Sequence, residues 1–110
     1  MRIDVLGTKY TVTVTTVKKD PFLNSCDGYC DKTTKQIVVK AKDESSELGN
    51  YDVYLKKILR HEIIHAFLFE SGLHENFKHP DQFGHDETMI DWFAVQFPKL
   101  YAAFKAADCL

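Results

Sequence analysis

The 110-residue sequence contains only three cysteines, an odd number at low density, so no disulfide framework holds its fold together. It also lacks any apolar run near the roughly 18 residues that a bilayer crossing requires. The densest stretch, Ala66-Phe67-Leu68-Phe69, is far too short. Basic charge is not in excess: 14 Lys and Arg face 16 Asp and Glu, for a net charge of −2. A protein that neutralises many phosphates is ordinarily basic, so nucleic-acid binding is not expected. The opening residues, Met1-Arg2-Ile3-Asp4, carry no apolar block of a signal peptide. With no membrane partner indicated, the expected location is cytoplasmic. No repeat, low-complexity tract or linker divides the chain, so residues 1–110 are expected to form one domain and a monomer. At 45% hydrophobic and 27% charged, the composition is that of a folded chain and excludes disorder.

Against these absences stands one concentration. All five histidines fall between positions 61 and 85.

Residues 2–17 read as strand, because Tyr10 to Val17 alternate with a period of two and are rich in β-branched side chains; Gly7-Thr8 marks a hairpin turn. Asp20-Pro21 ends the pattern. Residues 28–31 and 35–40 form a second expected hairpin across Asp31-Lys32-Thr33-Thr34, and Asp43 to Gly49 is a polar loop. From Tyr51 to Ser71 the spacing becomes helical. Leu55, Ile58, Leu59, Ile63, Phe67 and Leu68 recur at three and four residues, with Asn50 as cap and Gly72 as stop. Residues 73–85 are a polar loop holding His74, His79, Pro80, Gly84 and His85. A second helix is expected from Asp86 to Gln96, interrupted or kinked at Pro98 and resuming through Ala107. Its aromatic series Phe93, Phe97, Tyr101 and Phe104 reads as a core stripe against the first helix. The expected fold class is α+β: a small mixed sheet of about three strands plus a hairpin, packed on these two helices.

The first helix contains His61-Glu62-Ile63-Ile64-His65. Four residues turn a helix by about 400°, so His61 and His65 stand one turn apart on nearly one line. Their imidazoles can reach one zinc ion, with Glu62 beside it to take a proton from a bound water. Composition alone produces such a string roughly once in a hundred sequences of this kind, and its position on an amphipathic helix adds weight. A catalytic zinc site takes three protein ligands, and His74, His79, His85 and Glu87 are the candidates for the third. Glu87 is best placed, in the first turn of a helix, where a ligand is held more rigidly than in a loop. Asp91, four residues on, can accept a hydrogen bond from the far nitrogen of a zinc histidine.

His61-Glu62-Ile63-Ile64-His65 followed by Glu87-Thr88-Met89-Ile90-Asp91 resembles the gluzincin metallopeptidases, and the short length resembles their smallest members, the minigluzincins. Glu87 to Ala94 is also similar to the second helix of ImmA/IrrE-type peptidases. More loosely, His61 through Pro98 resembles small prophage-encoded proteins of presumed metallopeptidase type. The resemblance covers about residues 51–98 and rests on five positions. It implies a minimal zincin-like fold, zinc on His61, His65 and Glu87, and a peptide or protein substrate paired with the edge strand of a three-stranded sheet. The strand at 35–40 is the candidate for that edge. SprT-like proteases share the motif but take a third histidine from beyond the helix, a role open to His79 or His85. The metzincin pattern is excluded, because Leu68 and Ser71 stand where its glycine and third histidine would fall.

The expected activity is therefore peptide-bond hydrolysis by a zinc-activated water with Glu62 as general base. His85, His79, His74 and Tyr54 are candidate oxyanion stabilisers. The alternative is a zinc-bearing domain that regulates without turnover. Cys26 and Cys30 read as reduced thiols near a strand, and a Cys109 thiolate is a candidate cap that would hold the zinc latent.

Overall fold

Period-two alternation near the N-terminus does produce strands, and the 51–71 pattern does produce a helix. The computed structural model describes residues 1–75 and 85–110. His79, Pro80 and Gly84 lie outside the described residues. Strands β1 (Arg2–Val5), β2 (Thr8–Thr15), β3 (Gly28–Asp31) and β4 (Gln36–Lys40) precede helix α1 (Tyr51–Ser71) and helix α2 (Glu87–Ala106). The fold is α+β, a four-stranded mixed sheet with two helices. No helix among the described residues is long and apolar enough to cross a membrane.

The sheet order is β1-β2-β4-β3, with β2 and β4 parallel and the other pairs antiparallel. The β1–β2 turn is built on Leu6 and Gly7, whose φ angles of 52° and 92° match the twist of a tight hairpin. In the β3–β4 turn the Asp31 carboxylate accepts from the Thr33 amide at 2.8 Å and the Thr33 hydroxyl at 2.6 Å. This topology corrects one expectation. The 35–40 strand is interior, flanked by β2 and β3, and β3 is the edge on its side of the sheet. The sequence of β4 is consistent with that place: Ile37, Val38 and Val39 are all buried, so both faces of the strand are covered.

Helix α1 lies across the sheet and closes the core. Ile58 and Ala66 join Val5, Tyr10, Val12, Ile37 and Val39 in one buried cluster. Asn50 caps the first turn through the Val53 amide, and Gly72, at φ 82°, ends the helix in the left-handed region where a Cβ is unfavourable. The last turn is tied down by Glu70, which accepts from the Lys35 ammonium at 2.6 Å, the Tyr10 hydroxyl at 2.7 Å and the Thr8 hydroxyl at 3.1 Å. These donors, Lys35 foremost, hold the Glu70 carboxyl below its usual range.

Asp86 caps α2 by accepting from the Met89 amide at 2.9 Å. The expected interruption at Pro98 does not occur; α2 runs through it. Proline lacks the N–H that would reach the carbonyl of Ala94, four residues back. Arg60 from α1 takes that place, its Nε donating to the Ala94 oxygen at 2.5 Å. A second correction concerns the aromatic stripe. Ile90 and Ala94 are buried, but Phe93, Phe97, Tyr101 and Phe104 are 41–50% exposed, and every residue beyond Leu100 is exposed. The first half of α2 lies on α1, and its second half extends past the core.

Replacing Arg60 with Met should leave the Ala94 carbonyl unsatisfied and cost about 1–3 kcal/mol in chemical denaturation. Combining it with Pro98→Ala, which restores the helical donor, should recover most of that loss. Additive costs in the double variant would refute the pairing.

Candidate metal centre

The sheet-facing line of α1 runs Ile58, Glu62, Ala66, Glu70, at four-residue spacing; Lys35, Tyr10 and Thr8 satisfy Glu70 at its end, whereas Glu62 is turned onto the buried core. It is only 7% exposed. One residue before Glu62 stands His61 and, one turn on, one residue before Ala66, His65, both on the same side of that line. The first turn of α2 brings Glu87 to meet them. His61 Nε2 lies 3.2 Å from His65 Nε2 and 3.2 Å from Glu87 Oε2, while His65 Nε2 lies 2.9 Å from Glu87 Oε1.

Ligand atoms about 2.0–2.1 Å from one tetrahedral ion stand about 3.3 Å from each other. The two Nε2 atoms stand 3.2 Å apart and each has one Glu87 oxygen at 2.9–3.2 Å, within a few tenths of an ångström of that spacing. His61, His65 and Glu87 can therefore hold a metal ion, and no other group of at least three His, Cys, Asp or Glu side chains converges in this way among the described residues.

The remaining ring nitrogens are also engaged. His61 Nδ1 lies 3.3 Å from Asp91 Oδ1, to which it donates when Nε2 is kept for the metal. Asp91 also accepts from Lys57 Nζ at 3.1 Å, and this bond, the largest cause, holds its carboxyl below the usual range. His65 Nδ1 lies 2.6 Å from His85 Nδ1. With His65 Nε2 facing the metal position, the shared proton sits on His65 and His85 accepts it. His85 thus faces the nitrogen of His65 that points away from Glu87. Burial, helped by the neighbouring His65 and His74, pushes His85 down to about 4. Burial likewise lowers His65, favouring the neutral imidazole that a metal needs.

Glu62 points into the same cleft, a cavity of about 330 Å³. Burial first, and the Glu87 charge second, push its carboxyl up to about 7. The roof of the cleft is the edge strand β3, and Gly28 permits its approach. A Cβ at Gly28 would stand 2.9 Å from Ile58 Cγ2, 3.1 Å from the Val38 oxygen and 3.3 Å from Glu62 Cγ.

Several sequence candidates take other places. Tyr54 donates its hydroxyl to Asp27 and does not line the cleft. His74 stacks edge-on against Phe69, outside the lining. Cys30 does line the cleft, its thiol pushed up to about 12 by burial, while Cys26 is partly buried beyond it. Cys109 is exposed at the end of α2, about 30 Å along the helix from Glu87, and cannot cap the metal position. Sequence reasoning missed Gly28, Phe69 and Lys57. A glycine opening a strand signals close backbone approach, and Lys57 stands one turn from His61 on the same face; both signals were available.

Comparison with family models, with curated proteins and with solved structures finds no match.

The purified chain should bind one divalent metal per molecule by calorimetry and elemental analysis. Glu87→Ala should abolish binding, whereas His85→Ala should keep the stoichiometry and weaken affinity about 10- to 100-fold. Loss of stoichiometry in His85→Ala alone would make His85 a ligand. Separately, Gly28→Ala should cost about 1–3 kcal/mol in denaturant unfolding, because backbone and core atoms occupy the Cβ position. An unchanged midpoint would show that β3 yields freely.

Proposed function

We propose that this protein is a zinc-dependent peptide hydrolase of gluzincin type, with His61, His65 and Glu87 as metal ligands and Glu62 as the proton-transferring base. The observation that carries the reading is the convergence of two imidazole nitrogens and the two oxygens of one carboxylate at 2.9–3.2 Å, beside the buried carboxyl of Glu62. Two imidazoles and one carboxylate are a donor set that binds zinc and leaves a fourth position for solvent or substrate. A zinc ion there would polarise a carbonyl and make a water acidic near neutral pH.

The chain's own residues supply the rest. Glu62, on rigid helix α1, accepts the proton of the attacking water and returns it to the leaving amine, which balances the hydrolysis. Asp91 and His85 hold the two imidazoles in the tautomers that present Nε2 to the metal position. The edge strand β3 lies over the cleft, and a second depression of about 510 Å³ continues along it past Phe22, Lys32 and Phe69. An extended peptide adding to β3 would run along both, its main chain hydrogen-bonded to the strand edge. The SprT-like alternative is disfavoured for His85, which faces the far nitrogen of His65.

Glu62→Gln should retain one bound zinc and lose hydrolysis of a denatured-protein panel by about two to four orders of magnitude, the usual worth of a general base. Full activity in that variant would reject the mechanism. Zinc bound one-to-one by a wild type that cleaves nothing would favour a regulatory zinc domain.

A further inference from the structure

We propose that the exposed aromatic stripe of α2 is a self-association surface, on which two copies of this chain pack their second helices antiparallel about a two-fold axis. Ile90, Ala94, Phe97, Tyr101 and Phe104 recur at alternating steps of four and three residues, the seam spacing of paired helices. Within one chain only the first two are used: Ile90 is 2% exposed and Ala94 fully buried, while Phe97, Tyr101 and Phe104 are 46–50% exposed. The seam thus continues past the point where α1 stops covering it.

Where the helices part, Ile63, Ile64, Phe67 and Phe97 line an apolar groove of about 380 Å³, with Arg60 at its rim. One surface therefore carries both halves of a contact, a groove at the helix crossing and projecting rings at Tyr101 and Phe104. On a two-fold axis the rings of each copy meet the groove of the other, the reciprocal arrangement of a symmetric dimer.

Area supports a second copy as the occupant. Phe67, Phe93, Phe97, Tyr101 and Phe104 are each 41–50% exposed. At roughly 200 Å² per aromatic side chain they leave about 450 Å² uncovered. That is more than half of the roughly 800 Å² that each partner contributes to a stable interface, before flanking Leu100 and Ala103 are counted. Charge is compatible too. Between Phe97 and Phe104 the sole ionised residue is Lys99, which the helical period puts on the opposite face, so two copies meet without like charges in the seam. The shape of the chain agrees: its radius of gyration is 15.2 Å, where a compact chain of this length has about 13 Å. The proposed pair departs from the monomer expected from sequence. Stripe and metal ligands share no residue, so self-association stands or falls independently of peptide hydrolysis.

Sedimentation velocity on the full chain over a wide concentration range tests this. The expected result is a monomer–dimer equilibrium in the micromolar range. The Tyr101→Lys, Phe104→Lys double variant should weaken it at least about tenfold with unchanged far-ultraviolet dichroism and metal stoichiometry. Phe67→Lys should do the same from the groove side. A wild type that stays monomeric at the highest concentration overturns the proposal, as does a dimer indifferent to both variants. Flotation of a monomeric wild type with phosphatidylcholine vesicles would also overturn it and assign the stripe to a lipid surface.

Discussion

The placement of one carboxyl constrains the rest of this molecule. Glu62 belongs to the line of α1 that faces the sheet, between Ile58 and Ala66, so the helix cannot pack without burying it. Burying a carboxylate without a partner is costly, and the group responds by holding its proton to about 7. A cation bound at His61 and His65 would offset that cost and pull the carboxyl back toward ionisation. The tight fit of Gly28 over Ile58 and Glu62 belongs to the same constraint, because only a residue without a side chain lets β3 roof the cleft.

The second helix is held to that centre by contacts of three kinds. Glu87 meets the histidines, Asp91 bridges Lys57 and His61, and the Ala94 carbonyl freed by Pro98 receives Arg60. The three contacts follow one another along successive turns of α2, so Glu87 and Asp91 are placed by the same docking that satisfies a proline-orphaned carbonyl. Pro98 is therefore no helix breaker here. It creates an acceptor that Arg60 meets where α2 crosses α1, and beyond that crossing no helix or strand among the described residues covers α2.

Much of the centre was legible in the residues. His61, Glu62 and His65 follow from a four-residue spacing on a strongly periodic helix, and Glu87 and Asp91 repeat that spacing one helix later. Local periodicity predicts local geometry well, because 100° per residue leaves little freedom within a turn. The misreadings are all non-local. Strand 35–40 was expected at the edge, but edge or interior depends on which strands pair, and the parallel β2–β4 pairing joins segments with β3 between them in the chain. The aromatic stripe of α2 has a core-like period whether or not a neighbour exists to cover it. His85 stayed open behind Glu87 as a third ligand; what separates them is which nitrogen of His65 each one faces.

By itself the sequence determined the elements and the chemistry available: two hairpins, two capped helices, two imidazoles one turn apart with a carboxyl between them, and a glutamate opening the second helix. These are consequences of neighbours within four residues. Only the tertiary structure decided that Glu87 rather than His85 stands against the Nε2 atoms of both histidines, that β3 rather than β4 is the edge strand above them, and that the far half of α2 is left uncovered by the described residues. Each of those depends on where one element crosses another, and crossing is set by the packing of side chains far apart in the chain, which no local period encodes.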